Sequence, residues 1–121
     1  MRRFLPILLS SFIPLASCIP FPMGIPCTLI YAYGLSATVT NALTGAGIDN
    51  ATVTLVDGAY QETMQSAPGG NFIGAGERAG IYTLTASAPG FQTKTLDSIV
   101  VTADLCHVHG EHVDVMLQPS P

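Results

Sequence analysis

The feature that most constrains the fold is a two-residue alternation of apolar and polar side chains that returns along residues 34–118. Leu35, Ala37 and Val39 alternate with serine and threonine, and Val53 and Leu55 do the same. Because successive side chains of a strand point to opposite faces, this period predicts strands with one buried face. Turn sequences rich in glycine and proline separate the runs. The predicted strands are residues 34–41, 51–57, 59–65, 71–75, 81–88, 91–102 and 112–118.

Seven short strands without a helical period predict an all-β fold, a seven-stranded antiparallel β-sandwich. The organisation we predict is a signal segment at residues 1–17, an acylated cysteine and extended tether at 18–32, and one sandwich domain at 33–119. About 104 residues follow the signal, which is enough for a single domain with a modest core.

The N-terminus has the layout of a secretory signal: Arg2 and Arg3, then an apolar stretch, then small residues before Cys18. About 13 apolar residues interrupted by Pro6 and Pro14 fall short of the roughly 20 that a spanning helix needs.

The sequence at residues 15–18, Leu-Ala-Ser-Cys, resembles the lipobox of bacterial lipoproteins. In that motif the cysteine is acylated and the signal is removed just before it. The resemblance implies lipidation of Cys18 and a membrane-anchored protein of the bacterial cell envelope, facing the periplasm or the cell exterior. Two alternatives stay open: a cleaved signal that leaves Cys18 as a thiol, and an uncleaved N-terminal anchor.

The charge of the chain after Cys18 argues against one class of partner. All eight acids but only two bases, Arg78 and Lys94, lie in this part, so its net charge is −6. Nucleic-acid binding relies on neutralising phosphates with basic side chains. We therefore expect no nucleic acid among the partners.

Export also affects how the other two cysteines are interpreted. If Cys18 is acylated, Cys27 and Cys106 remain as an even pair in an oxidising compartment, and this predicts a disulfide that closes most of the domain into one loop. The alternative is two free thiols.

Three stretches, LSATVTNALTGAGIDNATVTLVDG, GIYTLTASAPGFQ and IVVTADLCHVHGEHVDVMLQP, resemble the carboxypeptidase regulatory-like domain, a transthyretin-like sandwich with Greek-key connections. The resemblance covers residues 35–119. Exported versions of this domain carry one cysteine before the first strand and another before the last, which also implies a bond between Cys27 and Cys106. The family usually has proline where Gly47 stands, so we expect a looser first connection.

The resemblance implies a non-catalytic module, structural or binding an envelope protein or polysaccharide through its loops. Related hydrolases need a C-terminal Tyr-Arg-Gly-Ser, which this chain lacks, and isopeptide-forming adhesins need a lysine in the first strand, whereas the one lysine is Lys94. We therefore expect no enzyme. The predicted contact surface is the glycine-rich segment 69–80, which looks mobile and carries Asn71, Glu77 and Arg78.

All three histidines lie between Cys106 and Asp114. On a strand His107 and His109 would point to one face, and a turn at Gly110 could return His112 toward them. Imidazoles suit Zn²⁺ or Cu²⁺, so the alternative function is an envelope metal-binding protein that uses this hairpin. A polar hairpin with its histidines in solvent, with no cofactor, is the other interpretation.

Overall fold

The computed structural model describes residues 27–121, which form eight strands. The predicted signal, Cys18 and most of the tether lie outside the described residues. The strands are β1 (Tyr33–Asn41), β2 (Thr52–Asp57), β3 (Tyr60–Thr63), β4 (Gln65–Ala67), β5 (Asn71–Gly76), β6 (Gly80–Ser87), β7 (Lys94–Val101) and β8 (Glu111–Leu117). Within residues 27–121 there is no helix of the length and apolar character needed to cross a membrane.

The strands form two four-stranded sheets that pack as a β-sandwich, which confirms the predicted fold class. The first sheet has the order β4-β5-β1-β8 and the second has the order β3-β2-β6-β7. Every pair is antiparallel except β1 and β8, which run parallel from Leu35 opposite Glu111 to Asn41 opposite Leu117. The purely antiparallel prediction is wrong for this pair, because the 102–110 connection carries the chain from the second sheet into the first.

The core lies between the sheets and follows the predicted alternation. Leu35, Ala37 and Val39 of β1 are fully buried, while the serine and threonines between them face outward. Fully burying a large aliphatic or aromatic side chain contributes about 1.5–3 kcal/mol. The other fully buried large side chains come from both sheets: Tyr82, Phe72, Leu55, Leu84, Leu117, Val53 and Val115.

The eighth strand arises because the predicted strand 59–65 is two strands in different sheets. Tyr60–Thr63 pairs with β2 in the second sheet, and Gln65–Ala67 pairs with β5 in the first. Met64 lies at the crossing, where its side chain is buried in the core and its N–H donates to the carbonyl of Val53 at 2.7 Å. Because Met64 is apolar, the alternation continues through the crossing, and the sequence pattern alone predicts one strand.

The first connection is tight at Gly47, so the expectation of a looser connection is wrong. Gly47 bridges Thr40, and the N–H of the next residue, Ile48, donates to the carbonyl of Val39 at 2.9 Å. A Cβ at Gly47 would collide with the backbone of Gly69. Glycine stands here because two stretches of backbone approach closely.

The sandwich has two ends. The proximal end contains the start of β1 next to Cys27, the β5–β6 connection and the β7–β8 connection. The distal end, one strand length or about 30 Å away for the nine residues of β1, contains the connections 42–51 and 88–93.

Candidate functional site

A disulfide at the proximal end joins Cys27 to Cys106, which are 79 positions apart in sequence and have their Cα atoms 5.2 Å apart. The predicted pairing is therefore confirmed. It ties the segment that leads into β1 to the β7–β8 connection. In the chain-entropy model, closing a loop of about 80 residues stabilises a domain by roughly 4.5 kcal/mol.

Glu77 connects three segments beside this disulfide. One carboxylate oxygen, Oε2, accepts hydrogen bonds from the N–H of Ala32 at 2.9 Å and from Nδ1 of His107 at 2.6 Å. The other, Oε1, accepts from the N–H of Val108 at 3.3 Å. Its backbone N–H donates to the carbonyl of Ala32 at 2.8 Å. Glu77 thus holds the segment before β1 against the β7–β8 connection.

Hydrogen bonding sets the charge of Glu77. The N–H of Ala32 and the imidazole of His107 lower the pKa of the Glu77 carboxyl below its ordinary value, because each donor favours the ionised form. A carboxylate only accepts, so Nδ1 of His107 carries the proton, and Nε2 lies 2.8 Å from Oγ1 of Thr28.

Asp104 organises the loop that carries Cys106. Its Oδ1 accepts from the N–H groups of Cys106 at 2.8 Å and His107 at 2.9 Å, and Nε2 of His109 lies 3.2 Å from Oδ2. These bonds lower the pKa of the Asp104 carboxyl to about 2, and the bond from the N–H of His107 has the largest effect. The carboxylate therefore fixes the turn that presents Cys106 to Cys27.

The three histidines bond to three separate carboxylates. His107 pairs with Glu77, His109 with Asp104, and His112 with Asp114, whose Oδ1 is 3.3 Å from Nε2. Residues 27–121 contain no group of three or more His, Cys, Asp or Glu placed to hold a metal ion. Cys106 is consumed by the disulfide. Metal binding by these histidines stays a prediction, and within the described residues the three imidazoles do not converge on one position where a metal ion could bind.

The hairpin interpretation of this segment is wrong, because β7 and β8 belong to different sheets. An isolated bridge between Ala103 and Val108 closes a small loop instead. His112 lies in β8 itself, with Nδ1 2.8 Å from Oγ of Ser36. The three histidines therefore do not share one face of a hairpin. His107 and His109 lie in the connection between the two sheets, and His112 lies in β8.

Arg78 is held inside a polar cluster rather than presented to solvent as a contact residue. Its Nη1 lies 3.1 Å from Oδ2 of Asp57 and 3.0 Å from the hydroxyl of Tyr82. Its guanidinium stacks 3.8 Å from the centre of the Tyr60 ring. The bond to Tyr82 is the main reason that the pKa of Arg78 is raised. These contacts fix the start of β6 against the β2–β3 turn.

The same cluster contains Tyr60 and Glu62, and Glu62 is an acid that no sequence motif marks. Glu62 accepts the N–H of Ala75 at 3.0 Å and the hydroxyl of Tyr60 at 2.7 Å. The Glu62 carboxylate raises the pKa of Tyr60 to about 12. Ala75 has a positive φ of 53°, and the Glu62 carboxylate satisfies the N–H of this residue.

The predicted mobile segment 69–80 is mostly ordered strand. Asn71–Gly76 forms β5, paired on both sides in the first sheet, and Phe72 is buried in the core. The side chain of Asn71 donates to the carbonyl of Pro68 and accepts from Thr38. Whether Asn71, Glu77 and Arg78 meet a partner stays a prediction, but Glu77 and Arg78 already bond within the domain.

An exposed set of apolar side chains surrounds a hollow at the proximal end. Leu29 and Leu105 are 103 and 85 % exposed, and Ile30 and Tyr31 are 71 and 60 % exposed. All four line one open hollow of about 490 Å³ together with Glu77, Asp104 and His107. We call Leu29, Ile30, Tyr31 and Leu105 the apolar rim.

One serine lies beside a histidine in an arrangement that resembles part of a catalytic site. Oγ of Ser36 is 2.8 Å from Nδ1 of His112, whose Nε2 is shared between Thr38 and Asp114. These side chains lie on the outward face of the first sheet and do not line the hollow beside the disulfide. A nucleophile also needs a substrate pocket and donors for the developing oxyanion.

The two sheets and the bond between Cys27 and Cys106 define an all-β sandwich domain closed by a disulfide. Residues 34–109 match the family model of the carboxypeptidase regulatory-like domain, which is more than half of the chain, and the chain belongs to this family. The family is a non-catalytic domain type. Among curated proteins, none matches the chain.

Proposed function

We propose that this chain is a non-catalytic lipoprotein of a bacterial envelope, anchored through acylated Cys18 and carrying one carboxypeptidase regulatory-like sandwich. The observation that carries the proposal is the disulfide between Cys27 and Cys106. Such bonds persist in exported proteins and are rare in reducing compartments, so the bond supports the export signal at residues 1–17.

The chemistry of the described side chains supports a structural or binding role. The candidate acids and bases, Glu77, Arg78 and Asp104, bond to segments of the domain itself. Side chains that are hydrogen-bonded in this way hold the connections between strands together. An enzyme instead needs a nucleophile or a general acid and base in reach of substrate.

Partner binding is proposed at the distal end, on the side of the sandwich away from Cys27. A hollow of about 340 Å³ there is lined by Ile48, Asp49, Asn50 and Phe91, among others, and Leu43 is 75 % exposed nearby. Loops on a rigid scaffold are common binding surfaces. The partner we propose is an envelope protein or polysaccharide.

The anchor is tested by growing the source bacterium, or a bacterial host, with a radiolabelled fatty acid. The parent chain should incorporate label and fractionate with membranes, and Cys18→Ala should do neither. The matched control is the double variant Cys27→Ala, Cys106→Ala, which keeps Cys18 and should keep the label. Equal labelling of Cys18→Ala and the parent would refute the anchor.

The distal surface is tested by crosslinking in cells from a photoreactive residue placed at position 43, with position 61 on the exposed face of β3 as the control. The proposal predicts an adduct with protein or polysaccharide from position 43 and none from position 61. Adducts from position 61 alone would contradict it.

Metal binding by His107, His109 and His112 is the alternative proposal. Because a ligand stabilises the state that binds it, added Zn²⁺ or Cu²⁺ should then raise the thermal midpoint, and substitution of all three histidines by glutamine should remove that effect. No metal-linked change in the parent chain would dismiss this alternative.

A further inference from the structure

The apolar rim lies exposed at the end of the sandwich where the chain enters the domain. The relative exposure of its four residues, Leu29, Ile30, Tyr31 and Leu105, is between 60 and 103 %, and all four line one hollow. A contiguous exposed apolar surface indicates an interaction site, whereas scattered exposed hydrophobic residues do not.

The rim is held in place by the bonds around it. Leu29 to Tyr31 begin two residues after Cys27, and Leu105 immediately precedes Cys106, so the disulfide keeps the two parts of the rim together. Glu77 fixes Ala32, just after the rim, to the β7–β8 connection. The surface is therefore preorganised, which lowers the entropic cost of binding.

The sequence before the rim limits how far the rim can lie from an anchor at Cys18. Nine peptide steps separate Cys18 from Cys27, and a fully extended chain spans about 3.3–3.6 Å per residue, or roughly 30 Å in all. The eight residues between them carry no charge and include Ile19, Phe21 and Ile25. A chain of this length and composition keeps the rim close to the lipid.

The charges around the hollow exclude an electrostatic attraction to anionic lipid. Glu77 and Asp104 line it, and no lysine or arginine does. Basic residues are what anionic headgroups attract, so the interaction would rest on apolar burial alone.

From these observations we infer that the apolar rim inserts into the surface of the bilayer that holds Cys18. The sandwich then stands on its proximal end and directs its distal loops away from the membrane. This inference rests on the proposed lipid anchor. It adds to the anchor a second, protein-borne contact that fixes the orientation of the domain.

The test uses the absence of tryptophan from the sequence. Leu105→Trp on the rim and Leu43→Trp at the distal end are made in the full-length chain, and each is reconstituted into phosphatidylcholine vesicles with or without bromine on the acyl chains. Bromine quenches a tryptophan at its depth, and inserted apolar residues lie about 5–10 Å into the headgroup and acyl boundary.

The tryptophan of Leu105→Trp should lose at least about half of its fluorescence emission in brominated vesicles, because an insertion depth of about 5–10 Å brings it within reach of the bromine. The loss should persist at roughly 1 M salt, where charge interactions are screened within about 3 Å. Leu43→Trp should not be quenched. Adding Leu29→Asp and Leu105→Asp to a chain that carries Ile30→Trp should abolish the quenching at Ile30 without changing the acyl mass.

The possible failures are distinguishable. If the protein floats with the vesicles and carries acyl mass but Leu105→Trp is quenched no more than Leu43→Trp, the orientation is wrong and the anchor stands. Emission shifted to the blue without bromine quenching means that protein covers the rim, which also refutes insertion. A chain that neither floats nor carries acyl mass overturns both proposals.

Discussion

At the scale of single residues, the proximal end depends on two carboxylates that the sequence presents as ordinary surface acids. Glu77 bonds to the segment before β1 and to the β7–β8 connection, and Asp104 shapes the turn that carries Cys106. Residues 27–32 belong to no strand, and the β7–β8 connection has a single isolated bridge, between Ala103 and Val108. Charged hydrogen bonds therefore help to hold both segments.

Glu77→Gln should lower the thermal midpoint of the domain. The substitution removes the negative charge and replaces one carboxylate oxygen by an NH2 group. The side chain then cannot accept from Ala32 and His107 at one position and from the N–H of Val108 at the other. The control is Glu111→Gln, an exposed acid whose carboxylate bonds to no residue in 27–121. Thermal unfolding followed by circular dichroism measures both, and an equal midpoint for the two variants would contradict this account of Glu77.

The stability of the domain should fall in acid because the pKa values of Glu77 and Asp104 are lower in the folded chain than in the unfolded chain. Their contribution is complete above the ordinary carboxyl pKa of about 4. It is lost as the pH falls through the folded values, which for Asp104 extends to about 2.

Urea unfolding at a series of pH values between about 6 and 3, which spans the ordinary carboxyl pKa of about 4, measures this loss. The midpoint should decrease toward acid, and the double variant Glu77→Gln, Asp104→Asn should show a shallower decrease. An unchanged pH dependence in the double variant would place the titrating groups elsewhere.

At the scale of elements, the strands were predictable and the crossings between sheets were not. The alternation in β1, β2 and β6 has one physical cause, a single buried face, and it can be read from the sequence. The alternation does not reveal the crossing between β3 and β4 at Met64. A buried apolar residue is expected at this position both in one continuous strand and at a crossing between sheets. The parallel pairing of β8 with β1 depends on which sheet the chain enters, which no local pattern encodes.

Met64→Ala should lower the free energy of unfolding by about 2–5 kcal/mol, because it removes a buried side chain and leaves a cavity at the crossing. The neighbouring Thr63→Ala, on an exposed side chain, should change it by less than about 0.5 kcal/mol. Equal effects in chemical denaturation would mean that the crossing is not part of the core.

The connection at Gly47 gives a second prediction for an element. Gly47→Ala places a Cβ against the backbone of Gly69, and forcing extra volume into such a site costs about 1–3 kcal/mol or more. Gly45 has a φ of 79° with open space around it, so Gly45→Ala should cost only the left-handed penalty of about 1–2 kcal/mol. If Gly47→Ala were the milder substitution, the close approach would be refuted.

The candidate site was predictable in its residues more than in their roles. The sequence identifies Cys27, Cys106, Glu77 and Arg78, and the disulfide follows from the even count and from the family resemblance. The bonds of Glu77 to Ala32 and His107 could not be foreseen, because they join residues 45 and 30 positions apart. Contacts of that range depend on the whole topology.

At the scale of the whole molecule, the disulfide closes the domain beside the end that faces the proposed anchor. Replacing both Cys27 and Cys106 by serine should lower the free energy of unfolding by roughly 4.5 kcal/mol, the chain-entropy value for a loop of about 80 residues. Urea denaturation of the double variant measures this. A loss near zero would mean that the neighbouring bonds of Glu77 hold the connection without the disulfide.

The molecule as proposed combines an anchor, a short tether and a closed sandwich, and one protein sample tests that combination. Intact mass spectrometry of the protein purified from bacterial membranes should give a chain that begins at Cys18 and carries acyl mass, with two further thiols that alkylate only after reduction. A chain without acyl mass, beginning at another residue or with all its thiols free before reduction, would contradict the account of an anchored, disulfide-closed envelope module.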